Sequence, residues 1–338
     1  MATKKGEHTL FLDNTPSVLG WAAVGSKKES EGPLASYFDL LTPDSTFGEK
    51  SWEKAESRMQ KDACNKALAK CGLSPQDIDI VFAGDLLNQC AGSTFGLREL
   101  GVPLLGLFGA CSTMAESLLM ASLFVEGGFA KHALAVTSSH FCSAERQFRF
   151  PLEYGGQRAP TAQWTATASG AVVVGGRDAP PYVRAVQPGE IVDLGIKDAA
   201  NMGAAMAPAA CSTISRFFSD TCTNADNYDL VLTGDLGEVG SKLLDELLQQ
   251  KGYQMGTKHS DCGLMLYDRA TQGVCAGASG CGCSASVLCS YILNKMREGS
   301  LNNVLFVATG ALMSTTTQQQ GESIPGIAHL VWLSTTPQ

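Results

Sequence analysis

Two stretches of this chain repeat each other. Ile78-Asp79-Ile80-Val81-Phe82-Ala83-Gly84-Asp85-Leu86 has its counterpart 150 positions on, in Tyr228-Asp229-Leu230-Val231-Leu232-Thr233-Gly234-Asp235-Leu236. Cys111-Ser112-Thr113 returns as Cys283-Ser284-Ala285 after 172 positions, so the second copy carries 22 more residues between its strand and its cysteine. Beyond the cysteine the match needs no gap, and Ala135-Val136-Thr137 aligns with Val307-Ala308-Thr309. A chain that repeats a strand, a cysteine turn and a further strand is a doubled α/β unit. Its folds are limited to those in which two such units share a core.

Short apolar runs bounded by turn residues predict strands at Thr9–Leu12, Ile78–Ala83, Leu104–Phe108, Ala133–Thr137, Thr165–Val174, around Leu230 and at Val304–Ala308. Ser51 opens a helix whose apolar face is Trp52, Ala55, Met59, Ala63, Ala67, Leu68 and Cys71, ended by Gly72 and Pro75. Further helices follow Cys111 (Met114, Leu118, Ala121, Val125) and cover Thr213–Phe218, Lys242–Gln250 and Val287–Met296. The remainder of the first fifty residues reads as irregular, with a charged loop from Gly25 to Pro33. The basic and aromatic run from Arg146 to Arg158 reads as an excursion outside the core. Alternating strands and helices predict parallel sheets with helices on their faces. The halves are 1–180 and 181–338, their sheets packed around a shared helical layer with a cleft between them.

At 44% hydrophobic over 338 residues the chain can bury a large core, and its 17% charged content falls below the roughly 25% of an average globular chain. A net charge of −8 with no basic stripe excludes wholesale nucleic-acid binding. No segment reaches the ~20 apolar residues of a membrane span, and the opening Met1-Ala2-Thr3-Lys4-Lys5 leads into no signal-peptide run. The twelve cysteines are therefore expected as free thiols in a reducing compartment. His259, Cys262, Cys275, Cys281 and Cys283 fall in one region without a paired C-x-x-C, which argues against a zinc site.

Cys111 stands between a strand-like and a helix-like run. There the helix dipole and free N–H groups favour a thiolate and hold a carboxylate or an oxyanion. The plainer alternative is a small apolar core filler. Asp85 and Asp235 pair in the repeat, so both can serve as caps for the helices after their strands. His259 and His140 can be satisfied core histidines. His8 and His132 read as surface residues. Arg146, Arg149 and Arg158 become carboxylate partners only as a cluster.

These residues carry a family resemblance. The tandem halves, Gly109-Ala110-Cys111-Ser112 and Ser169-Gly170-Ala171-Val172-Val173-Val174 are similar to the thiolase superfamily, with the type-III ketoacyl synthases as the nearest enzymes. Longer runs resemble the stage V sporulation protein AD family over essentially the whole chain. They are Gly25-Ser26-Lys27-Lys28-Glu29, Glu31-Gly32-Pro33-Leu34, Ala83-Gly84-Asp85-Leu86-Leu87-Asn88-Gln89, Glu145-Arg146-Gln147-Phe148-Arg149 and Gly256-Thr257-Lys258-His259-Ser260-Asp261-Cys262-Gly263. The resemblance implies a thiolase-like α/β fold, its duplicated βαβ halves packed as a five-layer α-β-α-β-α sandwich. It implies a sporulation protein that binds dipicolinic acid, free or with calcium, and supports its uptake into the developing spore. The protein would be the soluble, cytoplasmic subunit beside the membrane subunits of the SpoVA complex, peripheral to the inner membrane of the forespore. A homodimer is expected, with no cofactor and no intrinsic metal.

A condensing enzyme also needs a histidine and a second histidine or asparagine beside the cysteine. In the ketoacyl-synthase frame Asp235 occupies the histidine position and Cys281 the asparagine position, so no catalysis is expected. The alternatives are an acyltransferase or condensing enzyme using Cys111, and a scaffold with a vestigial pocket. Dipicolinate needs donors at both ends and an apolar slot between. The candidate ligand-binding residues are Cys111, His140, Arg146, Arg149, Asp235, Lys258, His259 and Cys281. The helix start at Cys111 would take one carboxylate, and Arg146, Lys258 or His259 the other. Asp235 would bind calcium or keep His259 protonated.

Overall fold

The computed structural model describes residues 2–148 and 158–337. Ten strands carry the architecture. In the first half, β1 (Ser17–Gly25), β2 (Ile80–Gly84), β3 (Leu104–Gly106), β4 (His132–Ser139) and β5 (Ala168–Gly175) lie in the order β1-β5-β4-β2-β3. In the second, β6 (Tyr182–Gln187), β7 (Leu230–Thr233), β8 (His259–Asp261), β9 (Asn303–Ala311) and β10 (Gly326–Ser334) lie in the order β6-β10-β9-β7-β8. Strand for strand the second sheet copies the first. The two meet through the pairing of Tyr182 with Ser17.

The sheets are mixed, which corrects the expectation of parallel ones. β2 runs parallel to β4 and β3, and β7 parallel to β9 and β8. β5 is antiparallel to β4 and β1, and β10 to β9 and β6. The connections from β4 to β5 and from β9 to β10 do not cross the face of the sheet, so the chain returns antiparallel. Both faces of these strands are covered, and Val172, Val173 and Val174 are all buried. A strand buried on both faces shows a continuous apolar run rather than an alternation.

The helices are α1 (Trp52–Lys70), α2 (Thr113–Glu126), α3 (Phe141–Phe148), α4 (Met202–Thr221), α5 (Gly237–Gln250) and α6 (Cys281–Val287), the last continuing through a π turn to Arg297. Ser51 caps α1 by accepting from the Lys54 N–H, and the face bearing Ala55, Met59, Ala63 and Ala67 covers the outside of the first sheet. α4 and α5 cover the outside of the second through Met206, Ile214, Phe217 and Leu244. Between the sheets lie α2 and α6. Met114, Leu118 and Val287 pack there with Phe82 and Ala135 of the first sheet and Phe306, Val331 and Leu333 of the second. The order of layers is helix, sheet, helix, sheet, helix. No helix among the described residues is long and apolar enough to cross a membrane.

Several boundaries move. β1, β6, β8 and β10 were not expected, and the helix expected at Thr213–Phe218 is the C-terminal part of α4. The charged stretch after Gly25 forms a helical turn, Lys27–Ser30. Its Glu29 is buried, accepting from Ser26, from the Thr167 N–H and from the Tyr267 hydroxyl. The first part of the basic excursion is α3, and 149–157 lie outside the described residues.

Leu118 is fully buried between two sheets that cannot both collapse onto it. Leu118→Ala should cost about 2–5 kcal/mol of stability, read from urea unfolding. A cost below about 1 kcal/mol would contradict this placement of α2.

Candidate functional site

The sequence between β3 and α2 forms a tight turn, Ala110–Ser112, with Ala110 in the left-handed region at φ 52°. The turn is pressed against β9 of the other half. A Cβ on Gly310 would stand 2.5 Å from the Gly109 carbonyl, so a glycine is required there. Cys111 is thereby fixed at the floor of a cavity of about 270 Å³. The walls come from both halves and are mostly apolar: Leu86, Phe108, Phe148, Met202, Leu312 and Met313. Thr165, Ser279 and Ser314 contribute hydroxyls, and Glu145 a carboxylate.

Beneath Cys111 lies Asp235, fully buried and near enough to the thiol for its charge to act on it. Its carboxylate also accepts from the Gly280 N–H (2.8 Å), Ser279 Oγ (3.2 Å) and Thr309 Oγ1 (3.0 Å). Gly280 is the residue before α6, so Asp235 binds the N-terminal end of the second cysteine helix. Cys281 packs beside Cys111 and donates its S–H to the Ser138 carbonyl (3.0 Å). The Ser138 hydroxyl in turn donates to Glu56 (3.1 Å).

Burial governs the protonation of this floor. It pushes the Cys111 thiol well above its ordinary range, and the Asp235 carboxylate raises it further. Asp235 itself is raised from 3.8 to about 6, burial outweighing the bonds it accepts. Cys281 is also raised, by burial and then by Asp85 and Glu56. Glu56 is pushed to about 8 by burial and then by Asp85. With its pKa raised in this way, Cys111 stays a thiol rather than a nucleophilic thiolate at neutral pH.

The structure brings together Cys111, Asp235 and Cys281 and places the other candidates elsewhere. His259 sits on the edge strand β8, its Nδ1 facing Asp245 (2.8 Å) and its Nε2 facing Thr233 Oγ1 (3.0 Å). Asp235 is thus not the partner of His259, because Thr233 and Asp245 take both ring nitrogens. His140 is fully buried, with Nε2 on the Ser45 carbonyl (2.8 Å), and burial lowers its pKa. Arg146 pairs with Glu53 and lies over the Trp52 ring. Lys258 is half-buried next to His259, and its carbonyl accepts from the Val231 N–H. Arg149 lies outside the described residues. Arg146 and Arg158 do not form one cluster. Arg158 pairs with Glu145 (3.0 Å) and lies over Phe141 and Trp164.

The two repeat aspartates have diverged. Asp85 caps its own turn, accepting from the Leu87 N–H (2.9 Å) and the Ser93 N–H (2.7 Å). Asp235 does not cap α5. Asp261 of β8 does so instead, accepting from the Leu236 N–H (2.8 Å) and the Gly237 N–H (2.9 Å). Thr309, Ser279, Glu145 and Asp261 were not read as site residues, and Arg158 was read only as one member of an arginine cluster. Of these, Thr309 carried a signal, being the counterpart of Thr137. All twelve cysteines are free, and no group of three or more metal-ligating side chains occurs among the described residues.

Two sheets of one strand order enclosing a pair of helices, with a cysteine at the head of the first, define a thiolase-type fold. The cerulenin-bound OleA of Xanthomonas campestris superposes with TM-score 0.60 at 13% identity, over 98% of this chain and 100% of its own. The 3-oxoacyl-[acyl-carrier-protein] synthase III of Aquifex aeolicus does so with TM-score 0.57 at 14% identity, over 94% and 99%. At such identities the likeness concerns the fold alone. Residues 6–334 match the sequence profile of Stage V sporulation protein AD (SpoVAD). The Stage V sporulation protein AD of Bacillus subtilis (strain 168) is 50% identical over 323 residues, 96% of this chain and 94% of that protein. The chain belongs to the SpoVAD family of sporulation proteins.

Asp235 gives a test by pH. A raised carboxyl pKa stabilises the folded state below about 3.8, and that stability is lost as pH rises through about 6. Asp235→Asn lacks this titration. Its stability relative to the native chain should improve by about 3 kcal/mol between pH 3.5 and pH 7 in urea unfolding. A difference that does not change with pH would contradict the burial of this carboxylate.

Proposed function

We propose that the protein is a non-catalytic ligand-binding member of its fold. It takes dipicolinate, free or with calcium, in the cavity above Cys111. The observation that carries this reading is the buried Asp235 carboxylate, held by Gly280, Ser279 and Thr309 under the cavity that Cys111 and Ser279 line. A thioester condensation needs a thiolate and a neutral N–H for the developing oxyanion. Asp235 offers an acceptor in place of that donor and holds the sulfur protonated.

The cavity suits a small planar ring. It lies just under the ~300–1,000 Å³ of drug-sized sites and has mostly apolar walls. The backbone N–H groups at the helix start beside Cys111 would take one ligand carboxylate. Arg158, whose partner Glu145 lines the wall, would take the other by a planar two-bond contact. A calcium ion arriving with the ligand would meet oxygen donors in Glu145, Ser279 and Ser314. In this reading the protein works without a cofactor or a resident metal. It acts as the soluble subunit beside the membrane subunits of the SpoVA complex, on the cytoplasmic side of the forespore inner membrane, and supports dipicolinate uptake. A second copy of the chain would pair along β3, an edge strand that exposes Leu105 (44%) and continues to Phe108 (52%).

The cysteine in an apolar cavity also favours a second reading, an acyltransferase using Cys111. Calorimetric titration with dipicolinate, with and without calcium, separates the two. Saturable binding should weaken about tenfold or more in Arg158→Ala, in keeping with a lost charge-assisted contact, and also in Cys111→Ala, which hollows the base of the slot. Acyl-CoA should leave no acyl group on the protein. Acylation of Cys111 without dipicolinate binding would favour the second reading.

A further inference from the structure

The aspartate beneath Cys111 stands on a turn, Gly234–Gly237, whose N–H groups its own side chain does not cap; its carboxylate accepts from Gly280, Ser279 and Thr309 instead. In the first half Asp85 spends its carboxylate on the N–H groups after its strand. In the second half that work falls to Asp261 on the neighbouring strand β8, through Leu236 and Gly237. The exchange leaves Asp235 able to turn toward the sulfur. Gly237 has φ 61°, so the turn keeps a left-handed conformation that a substitute side chain would strain.

Asp261 is itself fixed from behind. Thr233 Oγ1 lies 2.7 Å from its Oδ2, and His259 Nε2 lies 3.0 Å from the same hydroxyl. The threonine has a single proton, and the Asp261 carboxylate, already accepting two N–H bonds, can only accept. The Thr233 proton therefore goes to Asp261, and both ring nitrogens of His259 face acceptors, Thr233 on one side and Asp245 on the other. The His259 side chain is 4% exposed, while Asp245 is 48% exposed. A continuous set of bonds thus runs from the surface at Asp245 through His259, Thr233 and Asp261 to the turn carrying Asp235.

We propose that His259, Thr233 and Asp261 are positioning residues, which hold the Gly234–Gly237 turn so that the Asp235 carboxylate meets the Cys111 thiol. None of them lines the cavity, and they touch the cysteine only through Asp235. Their function is the register of one carboxylate against one sulfur.

The test is the pH profile of Cys111 alkylation by iodoacetamide in the full chain, followed by mass spectrometry of its peptide. Thr233→Val keeps the shape of the side chain and removes the hydroxyl, and Thr233→Ser restores it. Asp235→Asn gives the profile of a thiol freed from the carboxylate. In Thr233→Val and His259→Ala the alkylation midpoint should move toward that of Asp235→Asn, with the rate at pH 8 about fivefold or more above the native rate. Thr233→Ser should keep the native midpoint. A general loosening of the fold would relieve burial and move the midpoint in Thr233→Ser as it does in Thr233→Val, and that result would overturn the positioning role. A native midpoint in both Thr233→Val and His259→Ala, with Asp235→Asn shifted, would overturn the positioning role. An unshifted Asp235→Asn would overturn the Cys111–Asp235 contact as well.

Discussion

A carboxylate buried against a thiol is the interaction on which this site depends. Asp235 accepts from the N-terminal end of α6 and from Thr309, and it faces the sulfur of Cys111. In the condensing enzymes of this fold the equivalent place calls for an imidazole that stabilises a thiolate. An acid in a site that excludes water does the opposite, because two neighbouring acidic groups cannot both ionise cheaply. The position of the cysteine on the fold is kept, and burial with the neighbouring carboxylate raises its thiol well above the ordinary range.

The architecture explains why both halves are needed to build the arrangement. Cys111 comes from the first half and Asp235, Ser279 and Gly280 from the second. The cavity is lined by Leu86 and Phe148 on one side and by Met202 and Leu312 on the other. The two helices between the sheets place these parts in register, since α2 follows directly on the Cys111 turn and α6 begins at Cys281. A residue that loosens the central layer therefore disturbs the site without touching it.

Much of the fold was legible because the duplication shows in local strings: the strand ending in Gly-Asp-Leu, the cysteine turn and the following strand. The strands β1, β6 and β10 were not legible. They lie at the inner part of each sheet with both faces covered, so they lack the alternation that marks a half-buried strand, and Gly20 interrupts β1. The central pair of the site, Cys111 with Asp235, was legible through the repeat and the family resemblance. The roles of Asp261 and Thr309 were not, because they depend on which neighbouring strand faces the turn, and that is set by sheet order. His259, which looked like a ligand residue by its motif, is turned toward Asp245 and Thr233 by the pairing of β8 with β7.

The protonation of Cys111 can be observed directly. Carbon-13 NMR of the protein labelled at cysteine Cβ, with Cys111→Ser to assign the resonance, reports the state of the sulfur at each pH. A thiol held by Asp235 predicts a Cys111 resonance that stays in its protonated position up to at least pH 9, the ordinary value of the group. A titration midpoint below about 7, as in activated cysteines, would contradict it.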